Sequence, residues 1–367
     1  MIGAPRHHGR AAGNLRGGWT GDVVDADLHA VVGSADVLRP HLAPQWIEWI
    51  DETGFRAPPW QGALYPPGAE TTVDPVWREP GGEPPGTTLA GTQRQVLDAL
   101  APSAAILHCS WGIETIRHPD FAAGLASAVN DWLIAEWLER DPRLRASLVV
   151  PAFVPEEAAR EIDRVGGHPG FVGVFLPSRS TRLYGQRPWQ PMFDAIVRND
   201  LVACLHYGGT PDAPGPAGAE SWFMEDYVAA HVTAFQAQLA SLVIEGLFQR
   251  CPGLRVAFLE SGFSWLGPLL WRLDREWPGL RREVPWLNRA PSAIVREHIR
   301  FSVQPIDAGP PEAFRRAVEW LGSDELLMFS TDHPHGHERD VSVLLEALPP
   351  SAHRLVMADN ARTHFRL

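Results

Sequence analysis

The stretch Leu326-Leu-Met-Phe-Ser-Thr-Asp-His-Pro-His335 near the C-terminus decides the fold. Its first four residues are apolar and predict a short buried strand. Side chains able to bind a metal follow at once, beginning with Asp332. In a barrel of parallel strands, residues at a strand's C-terminal end face the active-site mouth. A carboxylate is rarely buried without a partner, so Asp332 is predicted to be the last ligand of a metal site. Capping of a helix N-terminus is its alternative role.

Seven earlier apolar stretches also predict strands, and amphipathic helical patterns separate them through most of the chain. The predicted strands are Asp22–His29, Ala104–Cys109, Leu144–Pro151, Phe171–Leu176, Leu201–His206, Leu254–Glu260 and Ile299–Val303. The predicted helices are Phe121–Arg140, Pro155–Val165, Trp189–Arg198, Tyr227–Phe248, Trp265–Trp277 and Pro311–Leu321. Eight strands alternating with helices predict an α/β protein with a (β/α)8 barrel, also called a TIM barrel. A doubly wound sheet is the alternative, but neither GxGxxG nor GxxxxGK[ST] follows the first strand.

Two segments depart from this alternation. Residues 1–20 contain five glycines and few apolar residues, so they predict a mobile N-terminal tail. Residues 21–367 are then a single metal-dependent barrel domain. Residues 33–95, after the first strand, are rich in proline and glycine, and a loop this long within a compact domain is usually functional or disordered. Its aromatic residues argue against disorder, so the segment is predicted to be a lid over the pocket.

Composition narrows the class of protein. The formal charge of −12 argues against nucleic acid or an anionic membrane as a partner. No apolar run approaches the roughly 18 residues of a membrane span, and residues 1–20 lack the apolar core of a secretory signal. Three scattered cysteines fit a reducing, cytoplasmic setting. Tryptophans predicted to be exposed on the helices 131–137 and 271–277 indicate a homo-oligomer such as a dimer.

Five polar residues lie at or just beyond the predicted strand ends: Asp27, His29, His206, Glu260 and Asp332. Asp27 and His29 are two residues apart, so they project from the same face of a strand. In a barrel, all five positions converge on one cleft. Each residue has an ordinary alternative role: an exposed strand face for the first pair, a core histidine for His206, and support of a ligand for Glu260. Together they predict a metal site.

Mixed carboxylate and imidazole ligands suit one divalent ion, with Zn²⁺ expected first and Mn²⁺ or Fe²⁺ as alternatives. An open coordination position would activate water or polarise a substrate oxygen, and Asp332 could carry the water's proton. Glu260 in an apolar mouth suits acid–base work. His335 is a candidate substrate contact or proton donor. A second metal motif built from His333, His335 and His337 is set aside because the segment is a short loop.

Substrate contacts are expected from three places. Arg179, with Arg182 nearby, follows the fourth strand and could bind a substrate carboxylate, although surface ion pairing is as common a role. Trp60 in the predicted lid could stack on an aromatic ring, with core packing as its alternative. His108 ends the second strand and is the third candidate.

The chain resembles the amidohydrolase superfamily, in the amidohydrolase-related branch that is similar to aminocarboxymuconate semialdehyde decarboxylase. The resemblance covers about residues 22–365, and its motifs are specific to the branch rather than to one reaction. The matching segments are Val24–His29, 130–133, 141–144, Val172–Pro177, Leu205–His206, 258–265, 330–335 and 359–361.

The resemblance implies that Asp27, His29, His206 and Asp332 are the metal ligands. Asp27 stands where decarboxylases of the branch carry His or Glu, and Glu260 stands where many place a proton-transferring histidine. The expected function is non-oxidative decarboxylation of a small aromatic or unsaturated carboxylic acid. Hydrolysis of an amide or ester, with Asp332 as proton shuttle, is the alternative. A barrel that binds a small molecule without catalysis is the third reading.

Overall fold

The computed structural model describes residues 14–58, 73–78, 81–209, 223–338 and 340–367. Eight strands form one parallel sheet in the order β1 to β8, so the prediction of a (β/α)8 barrel is confirmed. Each strand is short, and its residues are buried apart from four that are partly buried, Arg145, Val172, Arg255 and Arg300. The strands are β1 Val24–His29, β2 Ala104–His108, β3 Leu144–Leu148, β4 Phe171–Pro177, β5 Val202–His206, β6 Arg255–Leu259, β7 Ile299–Ser302 and β8 Leu327–Met328.

Backbone hydrogen bonds between β1 and the chain around β8 close the barrel. The amide of Ala26 donates to the carbonyl of Phe329 at 3.0 Å, and the amide of Asp332 donates to the carbonyl of Asp27 at 2.9 Å. The amide of His29 donates to the carbonyl of His333 at 2.9 Å. The sequence that follows β8 is therefore fixed against the carboxyl end of β1, where the parallel strands of the barrel all end.

Helices surround the barrel and close its lower end. They are α1 Pro44–Thr53, α2 Leu89–Thr92, α3 Asp98–Leu100, α4 Pro119–Leu133, α5 Pro155–Val165, α6 Gln190–Arg198, α7 Phe223–Glu225, α8 His231–Ile244, α9 Leu247–Arg250, α10 Leu266–Leu280, α11 Pro291–His298, α12 Pro311–Leu321, α13 Val341–Ala347 and α14 Asn360–Phe365. Short 3₁₀ helices occupy Ala35–His41, Pro75–Trp77, Ile113–Thr115, Arg187–Trp189 and Pro350–Ala352. Single π-helical turns occupy Gln93–Leu97, Ile134–Leu138, Asp226–Ala230 and Leu355–Asp359.

Two apolar clusters make up the core. The smaller one fills the barrel interior with alternate residues of the strands. The helix α14 covers it at the end of the barrel opposite the carboxyl ends of the strands. Its members include Val24, Ala26, Ile106, Val202, Cys204, Ala257, Leu259 and Met328. The larger cluster lies between the strands and the surrounding helices. The packed interior leaves the carboxyl ends of the strands as the place for polar side chains.

The helix predicted over 227–248 is interrupted. A π-helical turn precedes α8, and Gly246 separates α8 from α9 with a φ of 74°, a left-handed conformation that glycine adopts without strain. By length and composition alone, the helical stretch Asp226–Ile244 could cross a membrane, but 44% of its apolar 18-residue segment is buried inside the protein. The core helix of a soluble protein passes the same test, so this is weak evidence.

The predicted exposure of tryptophans is wrong for the 131–137 helix. Trp132 and Trp137 are buried, and each packs against the other with ring centroids 5.9 Å apart. The amphipathic pattern left their orientation open, and the large rings pack into the core rather than face solvent. Trp271 is exposed as predicted, with Trp277 partly buried on the same helix. Self-association through these rings stays a prediction.

The described parts of the N-terminal tail and of the 33–95 segment pack against the barrel. Leu15 is buried, and Arg16 donates to the carbonyl of Leu100 at 2.6 Å. In the 33–95 segment, the amide of Asp74 donates at 3.0 Å to the carbonyl of Pro334, which lies in the loop that follows β8. Residues 1–13 and 59–72 lie outside the described part of the chain. The division into tail and barrel domain, and the action of 33–95 as a lid, stay predictions.

Candidate metal centre

Four predicted ligands meet at the carboxyl end of the barrel. One ligand atom from each of Asp27, His29, His206 and Asp332 lies within 4.8 Å of the others. The Nε2 atom of His29 is 2.8 Å from Asp332 Oδ1 and 3.7 Å from Asp27 Oδ1. The Nε2 atom of His206 is 3.3 Å from Asp27 Oδ1. The structure thus gathers two imidazoles and two carboxylates, from β1, β5 and the residues after β8, around one point.

A register shift in β1 explains how this strand supplies two ligands. Val24 and Ala26 point into the barrel interior, whereas Leu28 belongs to the outer core. The pairing of β1 with β2 shifts register between Asp25 and Leu28, as in a β-bulge. A bulge changes which face the following side chains occupy. Asp27 and His29 can therefore face the mouth of the barrel above the packed interior.

The hydrogen bonds of His206 prepare it as a ligand. Its Nδ1–H donates to the carbonyl of Tyr207 at 2.8 Å, so in the neutral imidazole Nε2 carries the lone pair. Burial disfavours charge on this ring, but the carboxylates of Asp27, Glu260 and Asp332 outweigh burial and raise its pKa to about 10. The site therefore attracts positive charge. Asp27 Oδ2 is buried and accepts no hydrogen bond from the described residues. A cation fits this set of donors.

Two of the site's carboxylates are held on strained backbone. Asp332 has a φ of 54° and Glu260 a φ of 51°, in the left-handed region that residues other than glycine rarely adopt. Such strain tends to occur at functional sites, where surrounding contacts enforce it. Here the amide of Asp332 donates to the carbonyl of Asp27, and the amide of Glu260 donates to Ser302 Oγ at 3.0 Å. These contacts aim both carboxylates into the cleft.

A buried carboxylate behind the ligands ties β1 to the residues after β8. Asp25 accepts a hydrogen bond from Thr331 Oγ1 at 2.6 Å and another from the Thr331 amide at 3.0 Å. Burial raises the pKa of Asp25 to about 7, against the effect of these donors. Thr331 precedes the predicted ligand Asp332, and Asp25 lies two residues before the predicted ligand Asp27. The pair therefore fixes two ligand-bearing segments relative to each other.

Three more acid–base groups border the ligand cluster. His335 Nδ1 lies 3.3 Å from both oxygens of Asp332, and its ring is 4.5 Å from that of His29. His337 Nε2 is 2.6 Å from Asp332 Oδ2 and 3.7 Å from Glu260 Oε1. His335 and Glu260 were predicted to take part. His337 was set aside from the sequence, and the structure places it in the site.

The predicted substrate contacts have different outcomes. His108 is buried, with Nε2–H donating to the carbonyl of Ala26 at 3.0 Å and Nδ1 bonded to Ser147 Oγ at 2.9 Å. Both nitrogens are thus used inside the protein, which gives His108 a supporting position beside His206 rather than a contact with substrate. Trp60 lies outside the described residues.

Arg179 lies beneath the surface rather than open to the cleft. It is 4% exposed and forms an ion pair with Asp226, which is also buried. His231 lies against the same carboxylate, with Nε2 3.4 Å from Asp226 Oδ2. A guanidinium already paired with a buried carboxylate is a poor clamp for a second one. Asp226 and His231 lie in the helical region beyond β5, where no sequence motif marked them as site residues.

Fold and site together define a (β/α)8 barrel with a metal centre at the carboxyl ends of its strands. A model of the amidohydrolase family, Amidohydro_2, matches residues 24–367. The chain belongs to this family, and the resemblance found in the sequence is confirmed.

Curated relatives of this chain are decarboxylases. The gamma-resorcylate decarboxylase of Rhodococcus jostii (strain RHA1) is 28% identical over 287 residues, which are 70% of this chain and 80% of the relative. The gamma-resorcylate decarboxylase of Polaromonas sp. (strain JS666 / ATCC BAA-500) is 25% identical over 264 residues, 66% of this chain and 73% of the relative.

Solved structures share the fold at lower identity. The 5-carboxyvanillate decarboxylase of Novosphingobium aromaticivorans DSM 12444, complexed with manganese and 4-hydroxy-3-methoxy-5-nitrobenzoic acid, has a TM-score of 0.68 and 18% identity. The match covers 97% of this chain and 98% of that one. The 2,6-dihydroxybenzoate decarboxylase from Rhizobium has a TM-score of 0.66 and 18% identity, over 94% and 98% of the two chains.

Proposed function

We propose that this chain is a metal-dependent, non-oxidative decarboxylase of a small aromatic carboxylic acid. The observation that carries the proposal is the buried cluster of Asp27, His29, His206 and Asp332, with an imidazole, His335, at its edge. The decarboxylase relatives support the substrate class. A cytoplasmic setting is part of the proposal, because all three cysteines are buried and free.

The four ligands would hold one divalent cation, which would polarise an oxygen of the substrate and neutralise its negative charge. Imidazole and carboxylate donors suit Mn²⁺ and Zn²⁺ alike. Zinc was expected from the ligand types. Manganese is tested first because the related 5-carboxyvanillate decarboxylase was solved with it.

Decarboxylation needs a proton at the ring carbon that carries the carboxylate. Once this carbon is protonated, its bond to the carboxylate breaks, the electron pair returns to the ring and CO₂ leaves. We assign the proton donor to His335, because its side chain is 15% exposed, whereas that of Asp332 is fully buried. Asp332, 3.3 Å away, holds the ring in place. His335 regains its proton from water after each turnover.

Hydrolysis of an amide or ester is the second candidate. The observation that favours it is Glu260 at the end of β6, where many decarboxylases of the branch carry a histidine. In that reaction Asp332 would take a proton from water and return it to the leaving group. The same ligands serve both reactions, so product analysis has to separate them.

The test uses purified protein loaded with Mn²⁺. It is incubated with gamma-resorcylate, with 5-carboxyvanillate and with a panel of aryl amides, and both CO₂ and amine are measured. CO₂ release that disappears in His335→Asn, while bound Mn²⁺ is retained, supports the proposal. Amine release without CO₂ would replace it with hydrolysis. Neither product, together with unchanged ligand affinity in Asp332→Ala, would indicate a binding protein.

A further inference from the structure

A carboxylate that the proposed reaction does not use lies over the mouth of the barrel. Glu114 is part of the 3₁₀ helix Ile113–Thr115, which follows β2. Its Oε1 accepts a hydrogen bond at 3.0 Å from the amide of Gly209, in the loop that follows β5. In the sheet, β3 and β4 separate β2 from β5. A contact between the loops after β2 and β5 therefore crosses the carboxyl ends of the strands between them, where the active site of a barrel lies.

The surroundings of Gly208 connect this carboxylate to the metal centre. A Cβ atom at Gly208 would lie 3.5 Å from Glu114 Oε1 and 3.8 Å from Phe175 Cζ. Phe175 packs against the predicted ligand His206, with ring centroids 5.4 Å apart. The φ of Gly208 is 148°, a conformation that glycine adopts without strain. The missing side chain leaves a small space near His206, with the Glu114 carboxylate on one side and the Phe175 ring on the other.

Glu114 forms no ion pair within the part of the chain that the structure describes. In that part, Gly209 is the only other residue that donates a hydrogen bond to its carboxylate. The side chain is partly buried, and burial raises the pKa of its carboxyl, although hydrogen bonds from backbone amides and the nearby charge of His206 oppose the change. Backbone amides satisfy only part of a carboxylate, whose two oxygens offer about four acceptor positions. A ligand with an O–H group would therefore find an acceptor here.

We propose that Glu114 is a specificity-determining residue, which accepts a hydrogen bond from a hydroxyl group on the ring of the aromatic acid. The inference rests on the proposed function, in which an oxygen of the substrate's acid group lies at the metal centre. With the ring beside Phe175, a hydroxyl meta or para to the acid group would face Glu114. A hydrogen bond from this hydroxyl to a carboxylate is charge-assisted and stronger than one between neutral groups. A methyl group in the same place would bury the carboxylate without offering it a donor.

The experiment compares ligands that differ in one hydrogen-bond donor. Mn²⁺-loaded protein is titrated by calorimetry with 3- and 4-hydroxybenzoate and with the 3- and 4-methylbenzoates, which are similar in size but cannot donate. We expect one hydroxybenzoate to bind the wild type at least about tenfold more tightly than its methyl counterpart. In Glu114→Gln this hydroxybenzoate should bind about tenfold more weakly, because the acceptor loses its charge, whereas the methylbenzoate should bind no more weakly. Glu139→Gln makes the same change at an exposed glutamate and should behave as the wild type.

The matching methoxybenzoate tests the donor without a variant, and so serves if Glu114→Gln does not fold. It keeps the oxygen but lacks the proton, and should bind the wild type as weakly as the methylbenzoate. A wild type with no preference for the hydroxyl group overturns the proposal. So does a Glu114→Gln protein that binds the hydroxy and methyl ligands equally more weakly, since this would indicate only structural support. CO₂ is measured in the same samples, and its absence while the preference for the hydroxyl depends on Glu114 refutes only the proposed reaction.

Discussion

Acid pH should destabilise this protein through His108. The imidazole is buried beside the ligand cluster and uses both nitrogens, to Ala26 O and Ser147 Oγ. Burial disfavours its charged form and lowers its pKa from 6.5 to about 4, although the nearby charge of Asp27 opposes the change. The folded protein therefore holds this ring neutral at a pH where the unfolded chain binds a proton.

The size and sign of the effect follow from linkage. Because the pKa is lower in the folded state, the stabilising contribution is complete above pH 6.5 and is lost as the pH falls towards 4. The difference between the two pKa values corresponds to roughly 3 kcal/mol. His333, whose pKa burial lowers to about 3, adds a loss in the same direction.

The assay is urea unfolding of chelator-treated protein from about pH 7.5 to about pH 4.5, comparing the wild type with His108→Gln. Glutamine keeps an amide donor for the Ala26 carbonyl but cannot titrate. The variant should be less stable than the wild type at neutral pH. On acidification it should lose less stability than the wild type, by close to the roughly 3 kcal/mol that follows from the two His108 pKa values. Parallel pH curves for the two proteins would show that His108 does not cause the loss of stability in acid, since all other titrating groups are common to both.

The remaining predictions concern the support of the site and the core. Thr331→Val removes the hydroxyl donor to the buried Asp25 carboxylate, which should cost about 1–3 kcal/mol in urea unfolding and weaken Mn²⁺ binding about 10–100-fold, whereas Thr331→Ser should retain both. Phe258, buried between aromatic rings with centroids at 5.2 and 5.8 Å, should lose about 3–5 kcal/mol on substitution by alanine, measured by thermal unfolding with Phe258→Leu as the milder control. Burial raises the pKa of the Cys109 thiol to about 12, so iodoacetamide should label it only after unfolding, as mass spectrometry would show; labelling of the folded protein would contradict its burial.

The barrel and four candidate metal ligands could be predicted from the sequence because both depend on local pattern. Apolar stretches of strand length alternate with stretches of helical periodicity. Asp27-Leu-His29 forms the end of the first strand, and Asp332 lies in the loop after the last one. The carboxyl ends of parallel strands meet in a barrel, so residues far apart in the chain could be placed together. Helix boundaries were predicted less consistently. Both ends of α12 were predicted correctly, but the single helix predicted over 227–248 did not include the break at the left-handed Gly246.

His337 and His108 show what local pattern could not supply. The direction of a side chain in the loop after β8 depends on its turns, including the positive φ of Asp332, and the sequence does not encode these as a periodicity. His337 therefore looked too close to its neighbours to share a site. His108 occupies a strand end as the predicted ligands do, but only its hydrogen-bond partners in the structure, Ala26 O and Ser147 Oγ, reveal that both nitrogens are already bonded.

One divalent cation is expected to bind Asp27, His29, His206 and Asp332 together. Anomalous diffraction at the manganese edge, from crystals grown with Mn²⁺, would locate this cation. We expect a strong peak within coordination distance of His29 Nε2, His206 Nε2 and the carboxylates of Asp27 and Asp332. The absence of a peak at these four side chains, or density for Mn²⁺ only at some other place, would contradict it.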